Sequence, residues 1–328
     1  MYKHSNMEVI QRVIWIDYSK FALIVFMVWG HATNPSDWVH SFIYAFHIPA
    51  FFVVSGFLHK NKSLKDTILS LLIPTLLFSL VWYPHYVFSL VKADAGISLY
   101  DLFIKPLAGF WFYDGIIGRP MCRPFWFVVV LLLMKLFYLW VRPTSLNVII
   151  VILCLVFSYS LNGKCNFTYF FLLQKCVIAY PFFLFGIYLR KVNIMTIIGN
   201  AKLLYKGLIC IFGFSIVAIS ISFNGFVDLY FLSLGNSVIT YFFISIIGSV
   251  SLFVCCSIFT NLPSHITNIA RGTLVILGLH GFILLKILGH VPIKDSFILT
   301  VLTIAILYFP LLYILKHFPV AVGRLSNK

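Results

Sequence analysis

Residues 15–65 read WIDYSKFALIVFMVWGHATNPSDWVHSFIYAFHIPAFFVVSGFLHKNKSLK, two apolar runs joined by the polar connection Asn34-Pro35-Ser36-Asp37. Each run is close to the roughly 20 residues that an α-helix needs to cross a hydrocarbon core ~30 Å thick. The stretch is therefore read as two consecutive membrane-spanning helices. Polar residues interrupt both. Asp17 and Lys20 open the first run and His31 closes it, while His47 and Ser55 lie inside the second. An ionisable group in a span is costly to bury, so each is a functional-site candidate.

Helix geometry places these groups in depth. At 1.5 Å per residue, the eleven residues from Lys20 to His31 span ~16 Å, about half the hydrocarbon thickness. The second helix returns, and His47 lies seven residues, or ~10 Å, in from His40. With the Asn34–Asp37 turn at the surface, His31 and His47 are expected at similar depth.

The rest of the chain extends the same pattern. Of its 328 residues 61% are hydrophobic and only 10% charged, whereas charged residues alone make up about a quarter of a soluble protein. Apolar runs predict spans at about 14–33, 39–58, 67–90, 124–141, 146–161, 169–189, 205–222, 238–260, 272–288 and 297–315. The expected architecture is an all-α integral membrane protein, a bundle of about ten transmembrane helices forming a single domain over residues 1–328. No sustained internal repeat of the secondary-transporter kind is visible. Nothing before Ile14 reads as a cleavable signal, so the first run is expected to stay as an anchor.

The net charge of +15 raises the question of nucleic acid. Its distribution answers it. Alternating the spans puts sixteen of the 24 Lys and Arg residues on the side of the N-terminus and eight on the other, which orients both termini to the cytoplasm. The basic excess is thus a topology signal, and no nucleic-acid partner is expected. A multi-pass protein of the inner (cytoplasmic) membrane, surrounded by lipid, is the expectation; a homo-oligomer is left open.

Asp17-x-x-Lys20 followed by ten residues and His31, then Phe46-His47-Ile48-Pro49-x-Phe51-Phe52-x-x-Ser55-Gly56-Phe57-Leu58, resembles the opening of acyltransferase family 3, the polytopic membrane O-acyltransferases that modify surface glycans. Further echoes are Pro124-Phe125-Trp126-Phe127, Tyr180-Pro181-Phe182-Phe183-Leu184-Phe185-Gly186 and Gly278-Leu279-His280. Many members carry Arg at the position of Lys20, and Arg-x-x-Arg where this chain has Lys62-Ser63-Leu64-Lys65. Lys keeps the charge and loses the bidentate fork.

The resemblance implies transfer of an acyl group, most commonly acetyl, from acetyl-CoA to a hydroxyl of a glycan or lipid-linked glycan. It implies that Lys20, Lys62, Lys65 and Ser55 serve the donor; the loop read alone is an ordinary positive-inside loop. A sugar hydroxyl needs a base to attack a thioester, and an imidazole titrates near operating pH. His31 is assigned that role. His47 and His280, the latter nine residues or ~13 Å beyond Arg271, are assigned as partners that orient substrate or stabilise the oxyanion, and Asp17 as a companion able to pair with Lys20. No metal is called for.

The connection 91–123 carries Trp111, Tyr113 and Asp114 beside further aromatics. Flat rings next to a carboxylate suit a carbohydrate, and with Trp126 they are the substrate-binding candidates. An aromatic belt at the bilayer surface, or a re-entrant segment, is the competing account. The seven cysteines read as small buried hydrophobes, with Cys122 and Cys165 placed to pair only in an oxidising compartment. A transporter or flippase for a lipid-linked sugar, using the same His and Lys groups for proton coupling, is the alternative to the enzyme.

Overall fold

The computed structural model describes residues 2–34, 37–60, 63–92, 96–108, 122–141, 144–164 and 170–325. Helices make up 82% of it. In chain order they are α1 (Tyr2–Ala32), α2 (Trp38–Tyr44), α3 (His47–Phe57), α4 (Leu64–Lys92), α5 (Lys105–Ala108), α6 (Trp126–Trp140) and α7 (Thr144–Leu161). There follow α8 (Phe171–Lys191), α9 (Ile194–Asn200), α10 (Leu203–Asn224), α11 (Val238–Cys256), α12 (Ser264–Arg271), α13 (Thr273–Phe282) and α14 (Ser296–His317). The one departure from all-α is a two-stranded antiparallel hairpin between α10 and α11, β1 (Val227–Asp228) on β2 (Ser233–Leu234).

Among the described residues eight helical stretches are long and apolar enough to cross a membrane, with α2 and α3 together forming one of them. Two of the ten expected spans are not among these eight. Residues 14–33 lie in α1, whose apolar run is broken by Asp17, Lys20 and His31; α7 counts as a shorter apolar helix. Large side chains such as Leu80, Phe88, Phe157, Phe223 and Phe309 stand exposed on the outer faces of the bundle, where lipid rather than water meets them.

Helix α1 is the central element. Trp15, Ile16 and Leu23 pack into one buried cluster with Phe52, Phe57, Phe182 and Tyr241. Ile24, Met27 and Val28 pack into a second with Phe78, Phe125, Ile276 and Leu311. Adjacent residues of one helix thus face two different groups of helices, and the space between the groups opens beside α1.

The second span is not continuous. Pro49 has no N–H to offer the carbonyl of Ala45, four residues back, and the helix breaks at Ala45–Phe46. Neighbours satisfy the freed oxygens. Ser245 of α11 donates its hydroxyl to the Ala45 carbonyl at 2.7 Å. The Ile43 carbonyl accepts the Phe46 N–H at 3.3 Å and the imidazole of His47 at 2.8 Å. His47 therefore opens α3 at a break rather than sitting within a helix. Removing the hydroxyl in Ser245→Ala leaves a buried carbonyl unpaired, an expected loss of ~1–3 kcal/mol. Thermal unfolding of the purified variant checks this, and an unchanged midpoint rejects it.

Two glycines set the distance between α3 and α8. A Cβ at Gly56 would overlap the Phe183 carbonyl, and one at Gly186 would overlap the Val53 carbonyl. The helices touch backbone to backbone, as small residues allow in membrane bundles. The cysteines Cys122, Cys154, Cys176, Cys210, Cys255 and Cys256 are free thiols, buried or half-buried; Cys165 lies outside the described residues.

Candidate functional site

The space beside α1 is a cavity of about 700 Å³ lined by α1, α2, α3, α6, the start of α13 and the hairpin connection. It has two chemically different ends. At one, Lys20 of α1 and Lys135 of α6 stand with Ser55 and Leu58 of α3. At the other, His40, Arg123, Trp126, Phe226, Asp228, Tyr230 and Phe231 converge. His31, Tyr44 and His47 lie on the wall between them.

Three imidazoles meet at mid-length. The rings of His31 and His280 lie 5.0 Å apart, tilted by 35°. Tyr44 touches His47 edge-on at 4.9 Å and reaches His31 at 6.5 Å. Gly30 makes this possible, because a Cβ there would come within 2.8 Å of the Tyr44 ring. His31 keeps exposed surface, and that surface faces the cavity. His47 and His280 are each only 2% exposed.

Backbone carbonyls fix the tautomers of the two buried rings. His47 Nδ1 lies 2.8 Å from the Ile43 oxygen, and His280 Nδ1 lies 3.0 Å from the oxygens of Ile276 and Leu277. A carbonyl only accepts, so each Nδ1 carries the proton. In the neutral form each Nε2 is then an acceptor.

At the other end the hairpin is held rigidly. Asn162 donates to the Gly235 carbonyl and accepts from the Leu234 N–H, both at 2.8 Å. Asn224 donates to the Leu234 carbonyl at 3.0 Å and accepts from the Ser237 N–H at 2.9 Å. Asp228 accepts the Tyr230 N–H at 2.8 Å. Behind it, fully buried Lys175 of α8 sets its ammonium 3.0 Å over the Phe171 ring, 5.3 Å from Tyr230 and 5.8 Å from Trp126.

Burial pushes the Asp228 carboxyl from 3.8 up to about 6, against the pull of the Tyr230 N–H and the Lys175 charge. The folded state thus holds the proton more tightly than the unfolded chain. This contribution to stability is complete below the ordinary value and is lost as the pH rises through about 6. Asp228→Asn removes the ionisation and is expected to be more stable than the wild type by on the order of 2–3 kcal/mol above that pH. Melting temperatures from pH 4 to 8 test this; parallel curves for the two proteins contradict it.

Of the residues singled out in the sequence, the structure brings Lys20, His31, His47, Ser55 and Trp126 to the cavity, with His280 packed against His31. Asp17 is half-buried and off the cavity; it makes no salt bridge within 4 Å, but Lys20, with which it is read as able to pair, is the foremost charge acting on it. Arg271 and Arg324 add their charges to the mutual attraction of Asp17 and Lys20. Lys65 is exposed in the first turn of α4 and does not line the cavity. Lys62, Trp111, Tyr113 and Asp114 lie outside the described residues.

Sequence reasoning missed Lys135, counted only among the basic residues on the side of the N-terminus, and the group His40, Tyr44, Asp228 and Tyr230. Lys135 had a signal, being a charge inside an apolar run. Asp228 had only its place between two spans. Among the described residues no three His, Cys, Asp or Glu side chains are arranged to hold a metal ion.

A family model described as an acyltransferase domain matches residues 13–317. No curated protein and no solved structure matches the chain. The match takes in every element around the cavity, and the resemblance carried by residues 17–58 holds across nearly the whole length. It favours acyl transfer over transport of a lipid-linked sugar. With its apolar helices, the protein is a multi-pass membrane acyltransferase, and the chain belongs to acyltransferase family 3.

Proposed function

We propose that the protein transfers an acyl group, acetyl in the simplest case, from acyl-CoA to a hydroxyl of a glycan or lipid-linked glycan. The observation that carries this reading is the single cavity joining a cationic end to an aromatic, carboxylate-bearing end, with a cavity-facing imidazole between them. Lys20 and Lys135, with Arg271 and Arg324 nearby, attract the donor's phosphates and hold the thioester toward His31. The acceptor enters from the hairpin end. The expected topology, about ten passes of the inner membrane with both termini in the cytoplasm, puts the donor end on the side where acyl-CoA is made.

In the reaction a ring nitrogen of His31 takes the proton of the acceptor hydroxyl as its oxygen attacks the thioester carbonyl. The tetrahedral intermediate collapses, the C–S bond breaks, and the thiolate leaves with the proton from His31. Ester and free CoA are the products. His47 and His280, with Nδ1–H given to the backbone, act through Nε2 as acceptors that orient the hydroxyl or the His31 ring. Oxyanion stabilisation needs a donor, so orientation is the role that suits them.

Purified protein in nanodiscs is expected to bind acetyl-CoA and to release CoA faster when a surface-glycan extract is added. Folded protein that fails to bind acetyl-CoA overturns the donor assignment. Binding without any glycan-dependent CoA release overturns the acceptor class.

A further inference from the structure

We propose that His40 and Asp228, between the rings of Phe226, Tyr230 and Phe231, form a saccharide-binding subsite that selects the acceptor at the hairpin end of the cavity. The use of this subsite rests on the acyl-transfer reading; its occupancy does not.

His40 is 4% exposed and lines the cavity. One face of its ring stacks on Tyr44 at 3.8 Å and 20°, and Phe226 lies nearly parallel at 5.8 Å and 9°. Stacking fixes the plane of the ring, so only its edge nitrogens are left for polar contact. Nδ1 has no hydrogen-bond partner in the protein. An orphaned buried nitrogen costs ~1–3 kcal/mol, and its counterparts His47 and His280 are both satisfied by backbone. No helix carbonyl plays that part for His40.

The opposite requirement comes from the hairpin. Asp228 accepts from the backbone of Tyr230 and Phe231, and a carboxylate accepts up to about four hydrogen bonds. Phe226 and Phe231 are part-exposed at 41% and 47% beside it. The ligand that satisfies all of these has apolar faces and a hydroxylated rim. A sugar ring has that form: its C–H faces lie on aromatic rings, while its hydroxyls donate to a carboxylate and to an imidazole nitrogen. A fatty chain would leave the His40 nitrogen unpaired and bring no donor to the free lone pairs of Asp228. Asn162 and Asn224 hold the hairpin in place before any ligand arrives, so little ordering is needed on binding. Tyr44 touches both His40 and His47, so a sugar held at His40 lies one ring away from the imidazoles at mid-length.

The test uses octyl β-D-glucoside carrying a diazirine on the sugar ring, photolysed with the full-length protein in nanodiscs and mapped by mass spectrometry. Label is expected on residues 226–231 and around His40, competed by unlabelled octyl glucoside and not by octanol. His40→Phe, which preserves the ring stack, and Asp228→Asn are each expected to weaken glucoside competition by about tenfold while acetyl-CoA binding is unchanged. Label placed elsewhere, competition by octanol as strong as by the glucoside, or label unchanged in both folded variants overturns the subsite. Labelling that persists in a protein that fails to bind acetyl-CoA upholds the subsite and removes the donor reading instead.

Discussion

His31→Ala is expected to lose ~10²- to 10⁴-fold in glycan-dependent CoA release, the usual worth of a positioned general base, with acetyl-CoA binding retained. The two readouts separate because Lys20 and Lys135 lie at one end of the cavity, and His31 lies eleven residues, ~16 Å, further along α1 than Lys20. The alanine removes the ring that faces the cavity and leaves His47 and His280 on their backbone carbonyls. Neither takes over, because their rings are fixed for other contacts. His31→Gln keeps polarity without a titratable nitrogen and is expected to be nearly as inactive. Because His31 and His280 lie ring against ring at 5.0 Å, the double variant His31→Ala/His280→Ala is expected to lose little more than the single one, as groups acting as a unit do. A His31→Ala protein with wild-type CoA release removes His31 from the chemistry.

The second large effect is structural. Gly186→Leu is expected to abolish the stable protein, and Gly186→Ala alone to lower its melting temperature, although alanine is the better helix former by ~1 kcal/mol. The obstacle is backbone, since the new Cβ meets the Val53 carbonyl and the Phe57 N–H region of α3. A rotamer change cannot relieve that. The helices must separate, at more than the ~1–3 kcal/mol of ordinary overpacking. Helix α3 carries His47 and Ser55, so any Gly186→Ala protein that survives moves part of the cavity wall, and misplacement by ~1 Å costs up to about 10²-fold in rate. Gly56→Ala meets the Phe183 carbonyl and is expected to behave alike. An unchanged melting temperature in both alanine variants contradicts the backbone contact.

Much of this was legible in residues 15–65, because helical rise converts spacing directly into depth. Lys20 at one end of a cavity and His31 well along it follow from eleven residues of helix. Ser55 and Gly56 could be picked out, while the partner of Gly56 could not: Gly186 lies 130 positions away and meets it only through the packing of α8. The break at Ala45–Phe46 was missed, the second run being read as one helix despite Pro49, and its repair by Ser245 depends on a third helix. Tyr44 and His40 read as ordinary residues of an apolar run until the break turns them toward the cavity. The expected saccharide contacts at Trp111, Tyr113 and Asp114 lie outside the described residues, while Asp228, Tyr230 and Phe231 of the hairpin, which the sequence reading did not single out, line the cavity. No periodicity marks the thirteen-residue connection between α10 and α11 as a wall. Lys175 reads as a cation at a span's outer end and lies instead under three aromatic rings.

The continuity of the cavity from Lys20 to Asp228 has an energetic consequence for the cell. Carrying one elementary charge through 100 mV involves ~2.3 kcal/mol, so a device that moved the whole donor would work against the membrane voltage. In the reaction proposed above the highly charged donor stays at one end, and only an uncharged acyl group moves on, to the acceptor hydroxyl beside His31. That reaction draws its work from thioester cleavage alone, and its rate is expected to be equal in an energised and a de-energised membrane.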